Sequence, residues 1–118
     1  MRFLRSARLR VRAEFTVVQE HGRRVATRSM TVLGRPNAGG GDRLGIIASR
    51  RFGGAVARNR AKRRVREIFR QQQWADARQT ERRTLDLVVI PKRELLTSPM
   101  SAVESDFVSA IRRLRGAK

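Results

Sequence analysis

From Ser49 to Arg70 the chain reads SRRFGGAVARNRAKRRVREIFR, and no other stretch restricts its fold so tightly. Between Arg50 and Arg70 stand Arg50, Arg51, Arg58, Arg60, Lys62, Arg63, Arg64, Arg66 and Arg70, opposed by one acid, Glu67. Such density ordinarily leaves a segment disordered, because like charges repel and little apolar surface remains to bury. Here Ala57, Ala61, Val65, Ile68 and Phe69 recur at three- and four-residue spacings, the rhythm of an amphipathic helix. At about 100° per residue those five share one arc. Asn59, Lys62, Arg63, Arg66 and Arg70 fall on the opposite arc, with Arg60 and Arg64 on a flank. A helix pinned by its apolar side and cationic on the other is suited to grip a polyanion, and nucleic acid is the polyanion that fits.

The whole chain carries the same bias. Its formal net charge is +18 over 118 residues, with a sequence pI near 12.0, beyond the pI of about 9 that marks basic nucleic-acid-binding domains. Of 28 cationic residues only Lys62, Lys92 and Lys118 are lysine. Arginine's rigid fork suits phosphate oxygens and stacks on bases. An arginine-favouring genome would give the same preference, so the net charge carries more weight. That charge must cost folding energy through self-repulsion.

The length suits one domain with one core. Without cysteine the chain has no disulfide or thiolate metal site and is compatible with a reducing compartment. No apolar run approaches the ~18 residues of a membrane span, and MRFLRSARLRVRA lacks the apolar centre of a secretory signal. Its arginines resemble those of an organellar transit peptide in composition only, since the domain begins directly afterwards. A cytoplasmic location is expected.

Val11, Phe15 and Val18 mark a first helix, stopped at His21-Gly22 by a glycine expected in the left-handed cap conformation. Arg24–Ala26 and Ser29–Leu33 read as strands. The breaker-rich run from Gly34 to Asp42 reads as a flexible connection between antiparallel strands. Leu44–Ser49 is apolar on both faces, as a central strand would be. After Gly53-Gly54 the basic helix is expected from about Ala55 to Gln73, with Trp74–Arg83 as its tail and a loop. Leu85–Ile90 is the last strand, ended by Pro91. Ser101 and Glu104 resemble a capping box ahead of a helix whose stripe is Met100, Val103, Phe107, Ala110 and Leu114. The order α-β-β-β-α-β-α predicts a single α+β sandwich over residues 1–118, a four-stranded sheet packed by helices. Residues 1–11 are expected to be a basic N-terminal arm that can be flexible.

Catalytic chemistry is not visible. The lone His21 sits at a helix end with no second histidine or cysteine to share a metal. The acids are scattered, Asp86 within a strand and Glu104 and Asp106 in a capping turn, whereas a two-metal nuclease needs carboxylates converging on metals about 4 Å apart. No serine lies in a nucleophile elbow. The sequence therefore predicts no catalytic residue and no protein-bound metal.

The ordered run from Ser49 to Arg70, with its Arg58-Asn59-Arg60 core, resembles the signature of the bacterial ribonuclease P protein family. The likeness extends to Phe15, to His21-Gly22-Arg23 and to Pro91-Lys92-Arg93, spanning residues 12–114. The resemblance implies a ribonucleoprotein in which a large RNA, with Mg2+, hydrolyses precursor tRNA to leave a mature 5′-phosphate end. A 1:1 assembly of protein and RNA is expected. It also implies two surfaces and an uncommon left-handed β-α-β crossover. Arg58, Asn59, Arg60, Lys62, Arg63, Arg66 and Arg70 would bind the catalytic RNA. Phe15, Ser49, Arg50, Arg51, Lys92 and Arg93 would line a cleft for the single-stranded 5′ leader, a cationic groove with an aromatic platform. Two positions depart from the family pattern: Gln19 stands where a second aromatic is common, and Leu33 where a strand tyrosine often faces the cleft. Two rivals share the charge. A small ribosomal or nucleic-acid-coating protein needs no such ordered motif. A membrane-active helix would need bulkier anchors than Ala57, Ala61, Val65, Ile68 and Phe69.

Overall fold

The computed structural model describes residues 8–9, 11–37, 39, 41–75 and 84–116. Most of the expected N-terminal arm, and the loop expected before Arg83, lie outside these described residues. The elements run α1 (Arg12–His21), β1 (Arg23–Ala26), β2 (Met30–Pro36), β3 (Arg43–Ile46), α2 (Ala55–Ala75), β4 (Leu85–Pro91), α3 (Glu94–Thr97) and α4 (Met100–Gly116). The predicted α+β sandwich is therefore present, with one short helix added between the last strand and the last long helix.

The sheet order is β1-β2-β4-β3. β2 pairs antiparallel with both β1 and β4, while β3 pairs in parallel with β4. The apolar pattern of Leu44–Ser49 predicts a central strand, but β3 is an edge strand. Its apolar residues are covered all the same, because the N-terminal segment adds a rung outside it: Leu9 N–H donates to Leu44 O, and Arg8 bridges Leu44. The genuinely central strands are β2 and β4, which is why LDLVVI is apolar on both faces.

One face of the sheet carries the main core. Met30, Val32, Leu85, Leu87 and Val89 meet the apolar arc of α2 (Ala61, Val65, Ile68, Phe69) and that of α4 (Val103, Phe107, Ala110, Leu114). Phe69 and Phe107 pack edge to face with ring centres 6.5 Å apart, a geometry that favours aromatic pairs beyond their buried area. The opposite face has a smaller cluster, Leu9, Val18, Leu33 and Val88, roofed by α1. With ten residues and Val18 as its buried residue, α1 covers only part of that face. The remainder is open.

Local expectations are corrected at four points. Gly22 has φ −80° and ψ 162°, extended rather than left-handed. Glycine is needed there for space, because a Cβ would lie 2.4 Å from the Val18 carbonyl oxygen. α4 begins at Met100, with Ala102 and Val103 N–H donating to Pro99 O, so Ser101 lies inside the first turn instead of capping it. Asp106 caps nothing either; it accepts from the Ser29 hydroxyl at 2.6 Å and ties α4 to the β1–β2 turn. The connection between β2 and β3 is pinned by Asn37, whose amide donates to Gly41 O and to Asp86 and whose Oδ1 accepts from Thr84.

Candidate nucleic-acid interface

The parallel pairing of β3 and β4 places their C-terminal ends side by side. Ile47 N–H donates to Val89 O just past the end of β3, which brings Ser49 and Arg51 near Pro91 and Arg93. There a hollow of about 250 Å3 is lined by Ile47, Ser49, Arg51, Phe52, Ile90, Pro91 and Arg93. A second hollow, about 330 Å3, is lined by Arg12, Phe15, Thr16, Gln19 and Ile47. Ile47 belongs to both, so they form one groove running from the flank of α1 to the strand ends. Its floor is apolar and its rim bears Arg12, Arg51 and Arg93.

Phe15 serves both the core and the groove. Its half-buried ring packs on the smaller cluster and also forms groove wall. The ring rests on the backbone of Gly45, where a Cβ would approach Cε2 to 2.4 Å. Gln19, one turn along α1, faces the groove with an amide in place of a second ring. Leu33 is buried beneath α1 at 5 % exposure and does not line the groove.

Not every predicted cleft residue converges there. Arg50 is exposed beside the groove without lining it. Lys92 points away: its Nζ donates to Thr27 O at 2.5 Å and its N–H to Ser29 O, fastening β4 to the β1–β2 turn. Conversely the groove takes in Arg12, Thr16, Phe52 and Ile90, which sequence reasoning leaves out. Arg12 stands three residues before Phe15 and Gln19 four after it, so helical spacing alone could have placed Arg12 on the same face.

On α2 the cationic arc is graded by depth. Asn59, Arg60 and Arg63 are exposed, whereas Arg58, Lys62, Arg66 and Arg70 are half-buried. The buried Arg58 Nε has no hydrogen-bond partner among the described residues. Arg66 loses a proton more readily than an ordinary arginine, first because it is partly buried and second because Arg8 stands nearby. Arg70 is held by Glu67, and that hydrogen bond raises the pKa of the guanidinium and lowers that of the carboxyl. Arg64 faces inward. Its Nη1 donates to Leu95 O at 2.9 Å and Ser98 O at 3.3 Å, closing the end of α3.

The carboxylates have partners of their own. Arg43 Nη1 donates to Glu14 at 2.8 Å, and its Nε and Nη2 grip both oxygens of Asp86 at 2.9 and 2.7 Å. Arg43 is consequently held well above the usual arginine range, chiefly by Asp86. Partial burial opposes ionisation of Asp86, but hydrogen bonds from Arg43 and Asn37 outweigh it and depress its pKa. Asp42 accepts from Leu85 N–H and pairs with Arg115. Among the described residues no three His, Asp or Glu side chains gather as a metal site. Nor is any described helix long and apolar enough to cross a membrane.

The sequence model of the family described as Ribonuclease P matches residues 3–115. The chain belongs to the ribonuclease P protein family. It is 39% identical over 93 residues to the ribonuclease P protein component of Thermotoga maritima, covering 79% of this chain and 75% of that one. Identity to the Thermotoga petrophila protein component is 33% over 118 residues, covering 97% of each. Among solved structures, the RNase P protein from T. maritima superposes with a TM-score of 0.76 at 33% identity, covering 90% of this chain and 96% of that one. The Staphylococcus aureus RNase P protein gives 0.74 at 26% identity, covering 92% and 97%. Membership makes the chain an RNA-binding protein component of ribonuclease P, the tRNA 5′-processing activity, and sets aside the ribosomal, coating and membrane-active readings.

Proposed function

We propose that this chain assembles 1:1 with a catalytic RNA and presents the 5′ leader of precursor tRNA to it, the RNA carrying out the hydrolysis in the cytoplasm. The observation that carries this reading is the separation of two cationic surfaces. The exposed arc of α2 (Asn59, Arg60, Arg63) lies beyond one face of the sheet. The groove walled by Phe15 and rimmed by Arg12, Arg51 and Arg93 opens on the other.

The groove has the make-up of a single-strand site. Arginines meet successive phosphates, and an aromatic wall with an apolar floor accepts bases without reading their identity. One ring with Gln19 beside it shifts the balance from stacking toward phosphate contacts. The α2 arc, with half-buried Arg58, Lys62, Arg66 and Arg70 beside its exposed residues, meets the backbone of a folded RNA. Magnesium needed by the holoenzyme would be held by RNA phosphates. Glu14, Asp42, Glu67 and Asp86 are each gripped by a guanidinium, and such carboxylates make a poor donor set for a hard cation.

The test is the dissociation constant of precursor tRNA against leader length, with protein saturating over RNA. An Arg51→Ala/Arg93→Ala variant loses affinity for a leader of about eight nucleotides, within the ~4–16 typical of single-strand grooves. It matches the parent for a one-nucleotide leader. Equal losses at both lengths would assign these arginines to the catalytic-RNA surface and sink the two-surface reading.

A further inference from the structure

Three parallel rows cross the sheet face beneath α1. In the first, Arg35 on β2, Asp86 on β4 and Arg43 on β3 are register neighbours. Two residues further along each strand come Leu33, Val88 and Gly45, the seat of Phe15. Ile90 and Ile47 follow in the third, forming the groove floor. The polar row thus stands behind the aromatic seat, and the seat behind the groove.

Arg43 joins the polar row to α1. Its Nε and Nη2 form a two-pronged grip on Asp86, and its Nη1 reaches across to Glu14, the residue immediately before Phe15. Glu14 also accepts the Val11 N–H at 3.2 Å, holding the first turn of α1. One guanidinium therefore links β3, β4 and the start of α1. Val18 is the one buried residue of α1, and half-buried Phe15 is seated beside it on Gly45. The three side chains are 16 to 32 % exposed, so the bridge is partly shielded from solvent and holds a defined geometry.

We propose that the Glu14–Arg43–Asp86 bridge is a positioning device for leader binding, fixing α1 so that Phe15 stands as the groove wall over Gly45. The proposal rests on the leader-groove reading and gives a positioning role to residues outside the groove lining. Arg43 and Glu14 line neither hollow and act through Phe15. Lysine cannot replace Arg43, because an ammonium has no planar fork to hold two carboxylates in fixed directions.

The experiment compares Arg43→Ala, Glu14→Gln, their double variant and Arg51→Ala in the reconstituted holoenzyme. Glu14→Gln keeps an oxygen for Val11 N–H and leaves the Arg43–Asp86 grip intact, so it reports even if Arg43→Ala folds poorly. Precursor tRNA with an eight-nucleotide leader should bind each bridge variant about fivefold more weakly, the lower end of what one stacked base contributes. With a one-nucleotide leader, binding matches the parent. The double variant should lose no more than Arg43→Ala, because the two side chains work as one unit. The slope of log affinity against log salt should be unchanged in the bridge variants and flatter in Arg51→Ala. A flatter slope in Arg43→Ala would make Arg43 a phosphate contact and overturn the positioning role. Weaker binding of the eight-nucleotide leader by Arg51→Ala alone, with the bridge variants matching the parent, would overturn the bridge and leave the groove standing. If Arg51→Ala also binds the eight-nucleotide leader as the parent does, the groove reading and the bridge fall together.

Discussion

The ring of Phe15 lies on the backbone of Gly45, so close that a single methyl group there would stand 2.4 Å from Cε2 and 2.6 Å from Cζ. Position 45 thereby sets where the groove wall stands, though it lines neither hollow.

Gly45→Ala should accordingly displace Phe15. Overpacking of this kind costs about 1–3 kcal/mol, and thermal melts would register it. Shortening the ring, as in Gly45→Ala/Phe15→Leu, should recover most of that stability while leader-dependent affinity stays low. A Gly45→Ala protein with parental stability and parental leader binding would mean that the ring is not seated as described.

Neighbouring arginines on α2 should behave oppositely. Arg60 and Arg63 are exposed. Arg60→Ala or Arg63→Ala should therefore flatten the salt dependence of catalytic-RNA binding by about 0.7–0.9 for each phosphate left unneutralised, with melting unchanged. Arg64→Ala removes donors from Leu95 O and Ser98 O. It should lower stability by about 1.5–3 kcal/mol, the range for hydrogen bonds that involve a charged group, and leave the salt slope alone. Filter binding over a salt series, paired with denaturant unfolding, separates the two.

Asp86 gives the fold a pH signature. Its folded pKa lies below its ordinary value of 3.8. A depressed carboxylate contributes stability that is fully present above the unfolded value and is lost as pH falls through the folded one. Asp86→Asn should therefore melt below the parent at pH 7. The gap should narrow once pH drops under about 4 and vanish when both proteins are neutral at this site. A gap that persists unchanged at pH 2 would place the cost in packing rather than charge.

Much of this protein is written locally. The 3.6-residue rhythm of Ala57, Ala61, Val65, Ile68 and Phe69 determines α2 and its cationic side, because a helix needs only its own spacing to choose a buried face. LDLVVI determines a strand covered on both sides. Together with Arg58-Asn59-Arg60 these features fix the fold class and the RNA-binding family. Tertiary structure decided what depends on neighbours distant in sequence. Leu44–Ile46 is as apolar as a central strand, yet β4 comes between it and β2, an outcome no local pattern encodes. Lys92 and Arg93 are adjacent in sequence, but the first is drawn to Thr27 O and only the second reaches the groove. Arg64 reads like Arg63 in sequence and turns inward because α3 offers it two carbonyls. Glu14, Arg43 and Asp86 are isolated charges until three elements bring them within 3 Å. Sequence sets which side of a helix is apolar; where each arginine finds its partner depends on the chain closing around it.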